Sequence, residues 1–239
     1  MMQMLAGTSG YSYKEWIGPF YPEKTPAQAM LRYYAERFPT VEINNTFYRM
    51  PAEALLSRWA EEVPETFRFT LKAPQRITHV KRLMETAPDV AEFSRRAAVL
   101  GEKLGILLFQ LPPYLKKDLP RLRDFLAGLP PGRRVAVEFR HASWQDDEVY
   151  ETLHVGSASL CIADTDEGTT PWVCTSDVAY LRLRRTRYDD GDLRAWIDRL
   201  GAQPLERAYV YFKHEDEGLA TRFAARLTDL WRSAGSPAR

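Results

Sequence analysis

The sequence predicts a single-domain α/β barrel of the TIM (β/α)8 type, with eight parallel strands inside an outer ring of helices. Eight short apolar runs recur along the 239 residues, and amphipathic helix-like segments separate most of them. Strands that alternate with helices are parallel and joined by crossovers. Most of the runs also end on a charged or amide side chain, and a parallel barrel gathers such ends at one face. The sequence therefore predicts a polar site at that face.

The predicted strands are rich in aliphatic and β-branched residues, as buried strands are. They are residues 4–9, 41–44, 69–72, 107–110, 135–140, 160–164, 181–184 and 209–213. Residues two apart on a strand share a face. We assign the charged face to the barrel axis, because an ionised group between strands and helices would be buried without a partner. This places Asp164 and Ile162 at the axis, and Cys161 toward the helices as an ordinary buried thiol.

The predicted helices occupy the intervals between strands. One begins at residues 25–28, with Thr25 as the N-cap, Pro26 at the first helical position and Gln28 as a reciprocal partner. Ser143 is expected to cap another helix that contains Val149. Further amphipathic segments are residues 53–63, 89–104, 118–129, 192–200 and 219–231. Residues 165–177 show no helical stripe and are expected to form a loop or a short distorted helix.

The composition limits the function classes. The chain is 45% hydrophobic, which is enough for one core over residues 1–232, with 233–239 as a frayed tail. A net charge of +1 gives no global attraction to nucleic acid or to an anionic membrane. No apolar run is long enough to cross a bilayer, and no signal peptide is apparent. With two cysteines and no disulfide framework, the expected location is the cytoplasm. The oligomeric state stays open.

The strand ends carry the candidate site. Carboxylates and cations that converge shift one another's pKa values, so that one site can hold an acid and a base. The predicted catalytic residues are Glu42, Lys72, Glu138 and Asp164. The predicted substrate-binding residues are Ser9, Tyr11, Asn44, Phe47, Tyr48, Gln110, Arg140, His141, Arg182 and Lys213. The competing interpretation is structural, with ion pairs of Glu42 to Lys72 and of Glu138 to Arg140.

Other chemistries find less support. The four histidines are scattered without ligand spacing, so we predict no metal or other cofactor. The alternative is a carboxylate-only Mg²⁺ or Mn²⁺ site from Glu42, Glu138 and Asp164. Lys72 is also a candidate Schiff-base lysine, although a salt bridge to Glu42 is the favoured interpretation. The aromatic residues from Tyr11 to Tyr21 either stack on a ligand or pack the first loop.

Several long motifs resemble the bacterial domain-of-unknown-function family 72, also called YecE-like. These motifs are GTSGYSY at 7–13, GPFYP at 18–22, VEINNTFY at 41–48, KAP at 72–74, ITH at 77–79, LFQLPP at 108–113, VEFRH at 137–141 and CIAD at 161–164. The resemblance covers nearly the whole chain and implies a TIM barrel with no established activity. Many relatives have Arg-Leu-His-Gly where this chain has Arg182 to Arg185, and paired asparagines where it has Lys213 and His214. Both departures add positive charge near the predicted mouth.

Three functions follow from these observations. The leading hypothesis is an enzyme, of the hydrolase, lyase or isomerase type, that binds a small anionic or polyhydroxylated molecule and uses Glu42 and Glu138 as an acid–base pair. Lys72 would stabilise negative charge, and Arg140 and Arg182 would hold the anion. The second is a nucleic-acid binding or processing protein of the barrel endonuclease type, supported by basic residues from Arg182 to Arg187. The third is a non-catalytic sensor or a partner protein.

Overall fold

The computed structural model describes residues 2–213 and 218–235 and contains a closed parallel barrel. The barrel strands are β1 (Gln3–Ser9), β2 (Thr40–Ile43), β3 (Arg68–Lys72), β4 (Leu104–Gln110), β5 (Val135–Glu138), β6 (Ser159–Thr165), β8 (Val178–Leu183) and β9 (Arg207–Phe212). They pair in the order β5-β4-β3-β2-β1-β9-β8-β6, and β5 pairs with β6 to close the ring. The predicted fold class and all eight strands are confirmed.

The helices surround the barrel. They are α1 (Ala27–Ala35), α2 (Asn45–Tyr48), α3 (Glu53–Glu62), α4 (Ala87–Ala97), α5 (Leu119–Ala127), α6 (Asp147–Val155), α7 (Asp190–Gly201) and α8 (Leu219–Gly235). Between β6 and β8 the described chain forms a loop in which β7 (Gly168–Thr169) pairs antiparallel with β6. The helix α8 continues to Gly235, beyond the expected start of the frayed tail. No helix of the described residues combines the length and apolar character needed to span a membrane.

Two predicted helix caps are wrong, although both helices form. The Thr25 hydroxyl donates to the Pro22 carbonyl, and α1 begins after Pro26 without a side-chain cap. Ser143 lies in a short 3-10 turn (Ala142–Trp144), and the cap of α6 is Asp146, whose carboxylate accepts from the Glu148 amide. In both cases the predicted hydroxyl has other partners, which are the Pro22 carbonyl for Thr25, and the Lys117 amide and the His141 ring for Ser143.

Two apolar layers fill the molecule. One lies between strands and helices, and the other lies inside the barrel. The inner layer consists of Leu5, Ile106, Leu108, Ala136, Cys161, Val178, Tyr180, Tyr209 and Tyr211. Cys161 is therefore inside the barrel, and its predicted position toward the helices is wrong. The residues of β6 alternate in the opposite sense to that predicted, so Ile162 packs in the outer layer.

The aromatic first loop packs against the outside of the barrel. Trp16 and Tyr21 are fully buried, and the Phe20 ring contacts Tyr33 and Tyr34 of α1. These rings extend the outer core and fix the loop that follows β1. The packing interpretation accounts for them.

Candidate functional site

Arg182 lies at the centre of a buried ion network at the carboxyl ends of the strands. Its side chain is 3% exposed, and it projects from β8 between β2 and β5. Its Nη2 lies 2.7 Å from Glu42 Oε1, and its Nη1 lies 2.6 Å from Glu138 Oε2. One guanidinium thus joins carboxylates from two strands that are not neighbours in the barrel.

Glu42 accepts several hydrogen bonds besides those from Arg182. Ser9 Oγ donates to Oε1 at 2.7 Å, Asn44 Nδ2 donates to the same oxygen at 3.1 Å, and Tyr180 donates to Oε2 at 2.5 Å. Burial alone would raise the pKa of Glu42, but Arg182, Tyr180 and Ser9 lower it below its usual value. Glu42 is therefore ionised at neutral pH, and its oxygens are fully engaged.

Glu138 is held in the same way. Arg184 Nη2 lies 2.9 Å from its Oε1, and the Gln110 amide also forms a hydrogen bond with it. Burial opposes ionisation of Glu138, yet the charges of Arg182 and Arg184 hold its pKa far below the usual range. The Nε atoms of both arginines are buried and have no hydrogen-bond partner among the described residues. These two N–H groups are unused donors at the site.

Lys72 differs from the other charged residues of the network, because its direct partners are uncharged. Its Nζ donates to Gln110 Oε1 at 2.7 Å and lies 4.1 Å from the centre of the Phe47 ring. Burial, followed by repulsion from Arg182, lowers the pKa of Lys72 to about 8. The side chain is only 9% exposed, and its direct partners are an amide and an aromatic face. Lys72 therefore changes its protonation state around pH 8.

The two ion pairs expected under the structural interpretation are wrong. Lys72 bonds to Gln110 instead of Glu42, and Glu138 pairs with Arg182 and Arg184 instead of Arg140. Arg140 lies just beyond β5, where it is exposed and makes no ion pair with any described residue. Arg182 and Arg184, at the end of β8, already pair with the carboxylates. Lys72 and Arg140 are therefore left without a carboxylate partner among the described residues.

A partly exposed rim surrounds Lys72. Phe47 lies over the amine, and the His79 and Tyr48 rings pack edge-on against Phe47 at 4.9 and 5.2 Å. Burial, together with the charges of Lys72 and Arg140, lowers the pKa of His79, so its imidazole is neutral at pH 7. Tyr48 is 74% exposed. The rim thus presents aromatic faces, a neutral imidazole and the Arg140 cation.

Asp164 does not join this network. It lies on the outer face of β6, where it accepts hydrogen bonds from Thr169 Oγ1 at 2.5 Å, Arg185 Nε at 3.0 Å and Tyr188 at 2.9 Å. Its predicted direction toward the axis is wrong. The loop after β8 supplies Arg185 and Tyr188, so the carboxylate is buried with partners on the side where we expected none.

Two other predicted binding residues have partners outside this network. Tyr11 packs beside Trp59 of α3, where burial raises its pKa to about 12. His141 Nδ1 accepts from the Ser143 amide and forms the turn after β5. Lys213 is exposed directly after β9, and His214 lies outside the described residues. The network therefore gathers Ser9, Glu42, Asn44, Lys72, Gln110, Glu138 and Arg182 of the predicted set, with Phe47, Tyr48 and Arg140 at its rim.

Sequence reasoning missed two participants, Tyr180 and His79. Tyr180 shares the axis-facing alternation of Arg182, and that alternation was the signal that could have identified it. His79 comes from a π-helical turn (Arg76–Val80), for which the sequence carried no clear signal.

The three carboxylates of the Mg²⁺ or Mn²⁺ alternative do not converge. Arg182 lies between Glu42 and Glu138, and Asp164 is on another face. Within residues 2–213 and 218–235, no group of three or more His, Cys, Asp or Glu residues has an arrangement that would hold a metal ion.

Eight parallel strands with a charged network at their carboxyl ends define a TIM-barrel-like protein with a strand-end site. Residues 5–238 match the family described as "Protein of unknown function DUF72", and the chain belongs to this family. It is 33% identical to UPF0759 protein YunF of Bacillus subtilis over 217 residues, which are 82% of this chain and 75% of that protein. It is 35% identical to UPF0759 protein YecE of Escherichia coli K12 over 128 residues, which are 53% and 47% of the two chains.

Solved structures of the same family share the fold. A DUF72 family protein from Thermotoga maritima superimposes with a TM-score of 0.85 at 27% identity, over 96% of this chain and 99% of the other. A DUF72 family protein from Enterococcus faecalis superimposes with a TM-score of 0.78 at 17% identity, over 97% and 96% of the two chains. The family description and the names of these proteins state no activity or ligand, so the function rests on the chemistry of the site.

Proposed function

We propose that the protein is an enzyme that binds a small anionic or polyhydroxylated molecule at the strand-end site and moves a proton through Lys72. The observation that carries the proposal is the buried amine of Lys72, whose pKa is lowered to about 8. A group with a pKa near the working pH is suited to accept a proton in one step and return it in another. Hydrolase, lyase and isomerase reactions all use such a step.

This assignment changes the roles expected for the two glutamates. Glu42 and Glu138 are ionised, and their oxygens are occupied by arginine and neutral donors. Neither is suited to release or accept a proton near pH 7. We assign them a positioning role, in which they fix Arg182 and Arg184 beside Lys72. Burial, and then the positive charge of Arg182, keeps the amine pKa low, while the charges of the two glutamates partly offset this effect.

Anion binding is supported by the Arg140 cation at the rim. Arg140 is exposed and has no ion pair with a described residue. Guanidinium groups bind carboxylate and phosphate oxygens through paired N–H donors. Tyr48 and Phe47 add aromatic surface against which a sugar or another ring can pack.

The nucleic-acid alternative lacks an observation of this kind. Arg184 is paired with Glu138, and Arg185 is paired with Asp164 and Asp192. The basic cluster on which that alternative rests therefore has much of its charge neutralised locally. The sensor alternative predicts binding at the same site without turnover, and the experiment below separates it from catalysis.

The test is a thermal-shift screen against sugar phosphates, carboxylic acids and nucleotides, followed by NMR of each stabilising compound over time. A ligand of the folded state raises the melting temperature by mass action. We expect the shift to disappear in Arg140→Ala and to persist in the charge-matched control Arg123→Ala, since exposed Arg123 lies on α5. Lys72→Met should retain binding and lose turnover.

The pH profile identifies the titrating group. Because Lys72 must be neutral to act as a base, kcat should rise with pH through about 8 and then level off. Turnover that persists in Lys72→Met would contradict the role of the amine. Binding without conversion of any compound, in the wild type, would favour the sensor.

A further inference from the structure

A second cluster of cations lies at the opposite end of the barrel. There, at the amino ends of the strands, a cavity of about 420 Å³ is lined by four arginines together with glycine, leucine and one acidic residue. The arginines are Arg68, Arg133, Arg134 and Arg207, and the acidic residue is Glu102. Cations thus outnumber carboxylates in the lining, which is unusual for a chain with a net charge of +1.

Strand alternation explains why three of these arginines converge. Arg68 begins β3 two residues before Thr70, and Thr70 contacts Tyr211 inside the barrel. Arg207 begins β9 two residues before the internal Tyr209. Arg134 stands two residues before the internal Ala136. All three therefore start on the axis-facing side of their strands, and Arg133 joins them from the preceding loop.

The guanidinium groups are held in place but retain unused donors. Arg68 Nη1 donates to the Glu65 and Phe67 carbonyls at 2.8 and 2.9 Å. Arg207 Nη1 donates to the Tyr209 hydroxyl at 3.3 Å. A guanidinium carries five N–H donors, so each of these contacts leaves most of the group available.

The negative charge around the cavity is small. Arg134 Nη2 lies 3.3 Å from the exposed Glu206 carboxylate. Arg133 is exposed and forms no ion pair within the described part of the chain. Glu102 and Glu206 are two exposed carboxylates beside the four arginines, so positive charge stays in excess. An anion in the cavity would offset that excess.

We propose that this cavity binds a small anion that carries two or more phosphate groups, at a site separate from the strand-end site. Arginine side chains that come from different strands can each bind a different phosphate, so they suit an anion with several phosphates better than an anion with a single phosphate. The volume is within the range of about 300–1,000 Å³ that is usual for small-molecule sites. Gly101 and Gly132 line the opening, and nothing lies within 4 Å of the position that a Cβ would occupy at either residue, so the approach is open. In TIM barrels the catalytic residues lie at the carboxyl ends of the strands, so binding at the amino ends is non-catalytic.

The test is isothermal titration of the full chain with inorganic tripolyphosphate at constant ionic strength, because screening alters exposed charges. We expect Arg133→Gln and Arg207→Gln to weaken binding about tenfold or more, as loss of a charge-assisted contact does. Arg133→Gln is the cleaner variant, since the Arg133 side chain makes no hydrogen bond with a described residue. Arg123→Gln should bind like the wild type, and Arg140→Ala shows whether any of the heat comes from the strand-end site.

Several outcomes would overturn the proposal. These are no heat of binding to the folded wild type, equal weakening in Arg123→Gln, unchanged binding in Arg133→Gln and Arg207→Gln, or loss of binding in Arg140→Ala alone. Orthophosphate that binds as tightly as tripolyphosphate would also contradict the requirement for two phosphates.

ATP serves to distinguish the source of the anion. Binding of ATP that also weakens in Arg133→Gln supports a nucleotide, whereas binding of tripolyphosphate alone supports an inorganic chain.

Discussion

At the scale of single residues, the strand-end site depends on an uneven distribution of charge. Arg182 forms ion pairs with both Glu42 and Glu138, so the direct partners of Lys72 are Gln110 and the Phe47 ring. A buried cation without a carboxylate partner destabilises the fold while it is charged. Such a cost is common at functional sites, where pKa values are shifted toward the working pH.

The cost can be measured as a function of pH. The pKa of Lys72 is about 8 in the folded state and near the ordinary lysine value of 10.5 when unfolded. Between these values the unfolded chain binds more protons, so the contribution of Lys72 to the free energy of unfolding rises with pH. The penalty is fully present below about pH 8 and is relieved by pH 10.5, with a size of roughly 3 kcal/mol.

Lys72→Met should remove this dependence. We expect the difference in the free energy of unfolding, wild type minus variant, to increase by roughly 3 kcal/mol from pH 7 to pH 10.5. Urea unfolding at several pH values measures it, and groups that titrate in both proteins cancel in the difference. A difference that stays constant over this range would show that the folded pKa of Lys72 is not lowered.

Arg182 should be far more important for stability than a surface arginine. Arg182→Met leaves Glu42 and Glu138 buried without their shared cation, and breaking such a network costs about 3–5 kcal/mol. Urea unfolding at pH 7 provides the measurement, with exposed Arg123→Met expected to change stability by less than about 0.5 kcal/mol. A loss below about 1 kcal/mol for Arg182→Met would mean that solvent or other donors satisfy the carboxylates.

At the scale of elements, alternation and helical period identify the strands and helices, whereas local hydrogen bonds decide their ends. All eight strands follow from apolar runs, because a strand in a parallel barrel is buried on both faces. The caps were harder to predict. A hydroxyl or carboxylate before a helix has several backbone partners within reach, and the sequence does not show which one it takes.

Asp189 and Thr25 form a matched pair for testing the caps. Asp189 accepts from the Asp192 amide at 2.8 Å and forms a capping box at the start of α7, whereas Thr25 caps nothing. Asp189→Ala should lower the free energy of unfolding by about 1 kcal/mol, and Thr25→Ala by less than half of that. Chemical denaturation of both variants provides the comparison. Equal losses would mean that the hydroxyl of Thr25 stabilises α1 after all.

Much of the candidate site was also predictable, but its pairing was not. Glu42, Glu138 and Arg182 were expected at the axis because their strands alternate regularly. Asp164 faces away from the axis, contrary to the prediction, because its carboxylate has partners outside the barrel. Arg185 and Tyr188 provide such partners from a loop whose path the sequence does not reveal. Long-range partners of a buried charge are a property of the assembled fold.

At the scale of the whole molecule, the barrel holds cations at both ends and apolar residues between them. The inner layer of Tyr209, Tyr211 and aliphatic residues separates Arg207 at one end from Arg182 at the other. Interactions between such distant groups are weak compared with those inside each cluster. The two proposed sites should therefore respond independently to mutation.

Closure of the barrel depends on close contact between β1 and β2. A Cβ added to Gly7 would lie 2.1 Å from the Thr40 carbonyl oxygen and 3.0 Å from the Tyr34 hydroxyl, which itself bridges the Thr8 amide and Thr40. A backbone oxygen within a strand cannot move away without disturbing its neighbours. Any side chain at position 7 must therefore push the two strands apart.

Gly7→Ala should cost more than about 3 kcal/mol, at or above the upper end of the usual penalty for overpacking. Gly201→Ala is the control, because nothing lies within 4 Å of its added Cβ at the end of α7, and alanine there should stabilise by about 0.5–1 kcal/mol. Urea unfolding followed by circular dichroism measures both variants. If Gly7→Ala lost less than about 1 kcal/mol, β1 and β2 would have room to separate without opening the barrel, and the strand-end network that connects Ser9 to Glu42 would tolerate that movement.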